Sequence, residues 1–366
     1  MAGSSFGTIF KVTTWGESHG KALGVVVDGV PAGMSLCEED VQALLDERRP
    51  GASKYATKRA EADRVSILSG IFEGRTTGTP VMMMVENSDQ HSSDYSAIAD
   101  VYRPGHADYT YDKKYGFRDY RGGGRSSGRE TIGRVCAGAV ALKLLDAIDV
   151  KVTAYAASIA GIDADPKNFD PKEIEKNPFR LPDAAAAEAA AQKIDRLIAE
   201  KESAGGIIEC VTSGVPAGIG DPVFEKLDAN LSKAVMSIGA VKGVEIGDGF
   251  SVCSSTGSKN NDVFESRDGK IVKKTNHSGG MLGGISDGSD IIIRAAVKPT
   301  PSIARQQQTV NRSGENVDIS IKGRHDPLIV PRAVVVVKSM VAVTLADALL
   351  CGMGARMSDV VAFYKH

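Results

Sequence analysis

Stretches rich in β-branched residues are short in this chain, and Gly or Pro separates most of them. Gly24–Val27, Val65–Ser69, Val81–Val85, Ile207–Val211, Ile291–Val297 and Ala333–Val337 read as strands on that pattern. Helices are expected over Pro182–Ser203, where alanines and i,i+4 charges dominate, over Cys37–Arg48, which opens with three acidic residues, and over Arg129–Ala147, which has one apolar face. Gly205 and Gly206 are expected to stop the first of these. Strands and helices mix without a strict βαβα alternation, so the pattern argues for an α+β fold. No low-complexity linker divides the 366 residues, and a single domain over 1–366 is expected. The word GVPAG closes an apolar run twice, at 29–33 and 214–218, which raises an internal duplication without deciding it.

Forty-four basic and 46 acidic residues give a net charge of −2, which excludes a whole-molecule polycation of the kind that coats nucleic acid. No uncharged stretch approaches the roughly 18 apolar residues of a membrane span, and charges interrupt the first residues too early for a secretory leader. Five scattered cysteines without a C-x-x-C pair fit buried thiols in a reducing compartment, so no metal site is expected and a cytoplasmic location is.

The nucleotide signatures G-x-x-x-x-G-K-[ST] and strand-linked G-x-G-x-x-G are absent, as are H-E-x-x-H and G-x-S-x-G. Four of the six histidines, His19, His106, His277 and His325, sit in polar surroundings that contain glycine, where imidazole can serve as proton donor or acceptor. Between Arg103 and Arg134 eight basic residues face four acidic ones, a local excess of four positive charges. Guanidinium groups bind phosphate and carboxylate bidentately, and GGGRSS offers backbone N–H groups and hydroxyls ahead of a helix. These features leave open an enzyme that binds an anion, a nucleic-acid loop with stacking tyrosines, and a merely solvated basic loop.

Five blocks in this order resemble the signature blocks of the chorismate synthase family: TTWGESHGKALGVVVDGVPAG, RPGHADYTYDKKYGFRDYRGGGRSSGRETIGRVCAGA, MSIGAVKGVEIGDGF, NHSGGMLGGISDG and KGRHDP. The resemblance runs nearly end to end. It implies a β-α-β sandwich-like α+β fold in a homotetramer. It further implies conversion of 5-enolpyruvylshikimate 3-phosphate to chorismate and phosphate with reduced FMN, and neither nucleic acid nor membrane as a partner.

On that resemblance His19, His106 and Asp326 are the catalytic residues. His19 would protonate the departing phosphate, His106 would donate to the flavin, and Asp326 would assist removal of the ring proton. Ser18, Arg48, Arg49, Arg103, Arg129 and Arg134 would hold the substrate. Arg125, Ser126, Ser127, Gly239, Ala240, Gly283, Lys298, Pro299, Thr300, Pro301, Ser302 and Arg324 would hold FMN, and Arg48 and Lys54 would meet NADPH as a reductant. The chain departs from the family's pattern at Gly239, where many members carry Asn, and at Lys54, where Arg is frequent and its bidentate geometry is lost. A non-catalytic flavin-binding relative should have lost one of His19, His106 and Asp326, and all three are present.

Overall fold

The computed structural model describes residues 3–49, 55, 62–87, 99–321 and 326–365. Lys54, Arg324 and His325 therefore lie outside the described residues.

The first half of the chain supplies β1 (Ser5–Phe6), β2 (Lys11–Gly16), β3 (Ala22–Asp28), α1 (Glu38–Arg48), β4 (Val65–Ile67), β5 (Val81–Glu86), α2 (Asp108–Tyr115) and α3 (Thr131–Asp146). The second half supplies β6 (Lys151–Ile159), β7 (Ile162–Asp163), α4 (Ala184–Ala199), β8 (Gly206–Ser213), α5 (Leu227–Met236), β9 (Val241–Ile246), β10 (Ile291–Val297) and α6 (Val330–Gly352). Two antiparallel sheets result, ordered β1-β2-β3-β5-β4 and β9-β10-β8-β6-β7. Along β5, β8 and β10 buried and more accessible residues alternate, so each sheet turns one face to a core. Helices α1, α3, α5 and α6 fill the space between the sheets: α3 packs on β2 and β3, while α6 packs on β6 and β8. This is the expected β-α-β sandwich, and one continuous apolar cluster runs through it.

Helices α1 and α4 start where side chains give the first N–H groups a partner. At α1 the Asp40 carboxylate accepts the Cys37 N–H at 2.9 Å, and Glu38, Glu39 and Asp40 face the positive end of the dipole. Asp183 caps α4 by accepting from the N–H groups of Ala185 and Ala186. That helix ends at Ala199, short of the expected Ser203. Its stop is Lys201 in the left-handed region (φ 59°), with the Glu202 N–H on Leu197 O, and not the glycine pair. Gly205 instead serves close packing, since a Cβ there would lie 2.2 Å from Val297 O.

The segment expected as a strand over Ala333–Val337 is part of α6, a helix of 23 residues with Pro331 in its first turn. A run of valines loses only about 0.5 kcal/mol per residue against alanine in a helix, and burial on all sides outweighs that. An apolar run buried all round does not by itself distinguish strand from helix. By length and composition α6 could cross a membrane, yet 67% of its most apolar stretch is buried inside the protein. It is a core helix. A Cβ on Gly138 of α3 would lie 2.3 Å from Ser339 Cβ, which sets how closely the two central helices cross.

The two GVPAG words are equivalent in three dimensions. Thr76 Oγ1 donates to Pro31 O at 2.6 Å and accepts the Met34 N–H at 3.0 Å; Ser286 Oγ donates to Pro216 O at 2.6 Å and accepts the Ile219 N–H at 2.9 Å. The Gly33 and Gly218 N–H groups donate to Thr76 O and Ser286 O, both at 2.8 Å. In each half the order is then strand, GVPAG, helix, edge strand, short hairpin, strand and central helix. Matching the sheets strand by strand sets β3 against β8, β5 against β10, and β4 against β9. The duplication that the repeated word raised is present in the fold.

Candidate active site

Where the two halves meet, each central helix reaches across to the other half. Arg134, in the first turns of α3, places Nε on its own Glu130 at 2.8 Å and donates to Ser237 Oγ at 2.6 Å and to Ser237 O at 3.1 Å, just past α5. Arg332, in the first turn of α6, bonds Asp326 and donates through Nε to Arg48 O at 2.9 Å, at the end of α1. These reciprocal contacts use basic groups to satisfy the last carbonyls of the neighbouring half's helix.

Arg48 is 1% exposed although it was expected to meet substrate. Its NH2 group lies 2.5 Å from Asp63 Oδ2, and its NH1 reaches Gly128 O and Thr131 Oγ1 at 3.3 Å each. The other oxygen of Asp63 accepts from Arg129 NH1 at 3.1 Å. Arg129 Nε donates to Asn87 Oδ1 at 2.9 Å, and Asn87 Nδ2 donates in turn to Glu17 O and Gly20 O, the two ends of the loop that carries Ser18 and His19. Two guanidinium groups are therefore held side by side by one buried carboxylate. Burial of this kind is favourable only with such pairing. Arg332 is pulled below the ordinary arginine value by its burial, which the Asp326 charge opposes.

Ser18 Oγ lies 3.1 Å from His19 Nδ1. Gly122 (φ 77°) closes against them: a Cβ there would be 2.5 Å from His19 Cε1 and Nδ1. Gly122 O accepts from Arg103 NH2 at 3.1 Å, and Arg103 grips Asp108 bidentately at 2.7 Å through Nε and NH2. Burial raises the Asp108 pKa, but the bonds and charge of Arg103, with Arg118, outweigh it and hold the carboxyl below its usual value. Arg103 was expected as a substrate clamp. Its guanidinium is instead committed to the loop that backs His19.

The Arg103 carbonyl accepts the His106 N–H at 3.2 Å, and His106 Nε2 lies 2.7 Å from Ser302 Oγ. Lys298 Nζ donates to Gly105 O at 2.9 Å, and the Lys298 N–H donates to Ala240 O at 2.9 Å. Ala240 takes a left-handed conformation, φ 73°. Asp326, Arg332, Arg48, Asp63, Arg129, Asn87, the His19 loop, Gly122, Arg103, His106 and Ser302 thus form one unbroken series of contacts. It contains all three expected catalytic residues.

Other expected residues fall differently. Arg125 donates to Gly16 O, Thr14 O and Thr14 Oγ1 and so pins the GGGRSS turn to β2. Ser126 Oγ donates to Gly123 O, and Ser127 Oγ accepts the Arg129 N–H. Arg134 is engaged with Glu130 and Ser237, as described. Arg49 is exposed and pairs only loosely with Asp46, at 3.6 Å. At 1% exposure Arg48 is closed to a dinucleotide arriving from solvent, and Lys54 lies outside the described residues. Gly283 sits in a hairpin turn at φ 61°, and among the described residues no contact joins it to this series. His277 bonds Asp248 at 2.6 Å in a separate cluster.

Asp63, Asn87 and Arg332 were missed from sequence. None belongs to a motif, and only the duplication of the fold could have pointed to the starts of its central helices.

The residues expected to hold a flavin nucleotide leave a place for a phosphorylated ligand. The Thr300 hydroxyl is buried without a hydrogen-bond partner among the described residues, in the middle of the Lys298–Ser302 run. A Cβ on the neighbouring Gly239 would meet open space. A cradle with an unanswered hydroxyl, a lysine and open backbone is suited to a phosphorylated, polar ligand.

A family model described as chorismate synthase matches residues 10–350. The chorismate synthase of Agathobacter rectalis is 63% identical over 365 residues, all of both chains. That of Methanosarcina barkeri is 56% identical over 353 residues, covering 96% of this chain and 97% of its own. A crystal structure of chorismate synthase superimposes with a TM-score of 0.77 at 30% identity, covering 98% of this chain and 97% of that one. On the match over residues 10–350 and on these full-length identities, the chain belongs to the chorismate synthase family.

Proposed function

We propose that the chain converts 5-enolpyruvylshikimate 3-phosphate to chorismate and phosphate by 1,4-elimination, with reduced FMN bound and no net redox change. The observation that carries this reading is the single series of contacts through His19, His106 and Asp326, with three buried arginines, Arg48, Arg103 and Arg129, between them. In the reaction one C–O bond to phosphate and one ring C–H bond break, and the second double bond of a diene forms.

Arg129, fixed by Asp63 beside the buried Arg48, meets an anionic group of the substrate without first being reorganised. His19, steadied by Ser18 and Gly122, gives a proton to the departing phosphate. Asp326, held by Arg332, takes part in removing the ring proton. Ser126, Ser127, Gly239, Ala240 and the Lys298–Ser302 run would hold the flavin, with Arg125 fixing the turn between them. Reduced FMN, when bound, supplies electron density to the allylic system and a basic ring nitrogen. Residues 1–366 act as one domain in this reading, since the core is continuous across both halves. We extend the reading to a homotetramer in the cytoplasm.

An anaerobic assay of phosphate release tests the function. Chemically reduced FMN should support turnover, and omission of flavin should abolish it. Equal release with reduced FMN and with no flavin would overturn the reading. A third arm, oxidised FMN with NADPH, tells whether the chain reduces its own flavin.

A further inference from the structure

The turn that presents His106 is clamped by a segment almost two hundred residues away. Gly105 stands at φ 69°, and a Cβ there would lie 2.8 Å from Pro301 Cβ, so Pro301 packs flush against the turn. Lys298 Nζ holds the Gly105 carbonyl from the other end of the same segment. Between them Ser302, only 7% exposed, sets its hydroxyl 2.7 Å from His106 Nε2 across 196 residues of sequence.

A neutral imidazole has two tautomers of similar energy and a broad ring torsion, so a histidine meant to move a proton at one atom needs another group to fix it. Hydroxyls suit that task because they can donate to the ring nitrogen or accept from it. The Lys298–Ser302 run was expected only as flavin contact, a role its backbone and the Thr300 hydroxyl can fill without the Ser302 side chain.

We propose that Ser302 is a positioning residue whose hydroxyl fixes the ring plane and tautomer of His106. It acts through the imidazole and touches no reacting atom itself. The inference deepens the proposed function by taking His106 as a site residue.

The test uses the full chain labelled with 15N-histidine, without flavin or substrate, and long-range ring correlation spectra in which a His106→Gln variant identifies the signal. The wild type should show one dominant His106 tautomer. Ser302→Ala should move the His106 nitrogens toward the averaged shifts of free imidazole and leave the His19 and His277 signals in place, while Ser302→Thr should keep the wild-type pattern. With reduced FMN at saturation, Ser302→Ala should lower kcat about tenfold or more with substrate KM within about twofold, and Ser302→Thr should recover most of it.

Ring signals that are the same in Ser302→Ala and wild type overturn the proposal, as does a changed ring with unchanged kcat. The spectra are read on the protein alone. A wild-type enzyme that fails to release phosphate would therefore refute the functional reading separately.

Discussion

Arg332 and Asp326 form an ion pair across the first turn of α6, and the same guanidinium holds the Arg48 carbonyl at 2.9 Å. One side chain thereby ties the carboxylate expected to handle the ring proton to the helix end that carries the buried Arg48. Arg332→Gln keeps a donor and length but removes the charge. Turnover should fall by about 10²-fold from misplacement alone. Stability should drop by about 1–3 kcal/mol, because a partly buried carboxylate loses its partner. Steady-state rates and urea midpoints measured on one preparation decide this, and an unchanged rate would mean that Asp326 needs no fixing.

Asp63 makes a second case. Its side chain is fully buried and answers both Arg48 and Arg129. Asp63→Asn leaves two guanidinium groups without a counter-charge, which should destabilise the fold by about 3–5 kcal/mol. Inorganic phosphate at high concentration should recover part of that loss in the variant and less in wild type, because an anion between the arginines replaces the missing charge. Thermal melts with and without phosphate give the comparison. Equal shifts in the two proteins would show that the arginines do not share an anion.

The third prediction concerns Gly122, which lies against the His19 ring. His19→Ala should lower turnover by roughly 10²–10⁴-fold with the fold intact, since the residue sits in a loop. Gly122→Ala leaves every titratable group in place, yet its Cβ would fall 2.5 Å from the imidazole and its φ of 77° disfavours a side chain. It should also lower turnover, by displacing His19. A Gly122→Ala enzyme with normal kcat would show that the ring position found here does not matter to the chemistry.

Helices α1, α3 and α4 and five of the six expected strands were legible in the sequence because caps, acidic first turns and short β-branched runs are local signals. Ala333–Val337 was not, because α6 draws its helical state from burial on every side, which residue identity does not reveal. The same limit governs the site. His19, His106 and Asp326 stand in motif words, but Asp63, Asn87 and Arg332 earn their roles only where the two halves of the fold converge. Arg103 and Arg134 were read as substrate clamps on the family resemblance, while the partners that engage their charge, Asp108 and Glu130, lie on the same loop and helix.

Thiol chemistry offers a fourth, independent check on the core. Burial pushes Cys136 and Cys210 up to about 12, so neither should present a thiolate near neutrality. Cys37, Cys253 and Cys351 are exposed. Titration of the native protein with a disulfide reagent at about pH 8 should count no more than three thiols, and two further thiols should appear in denaturant. Five reactive thiols in the native protein would contradict the packing of α3 against β3 and of α6 against β8.

The last prediction concerns acid. Asp262 accepts from Thr275 Oγ1 at 2.6 Å and from the N–H groups of His277 and Ser278 at 2.8 and 3.0 Å. Lys273 Nζ, 1% exposed, sits between Asp262 at 3.2 Å and Asp287 at 2.7 Å. Burial raises the Asp262 pKa, but these hydrogen bonds outweigh it and leave the carboxyl well below its usual value; Asp287 is held down in the same way, by Lys273. A carboxyl depressed in the folded state contributes stability that is fully present above its unfolded value, about 3.9. That contribution is lost as pH falls below that value and through the folded one. Unfolding free energy should therefore fall as pH drops below about 4, with part of the slope due to this cluster. Asp262→Asn should lose about 1–3 kcal/mol at pH 7. Its stability should also decline less with acid, so that the two curves approach each other at the acid end. Urea denaturation of both proteins between about pH 3 and 7 measures the difference curve. Parallel curves would mean that protonation of Asp262 contributes nothing to acid unfolding and that the knot around Lys273 holds without its charge.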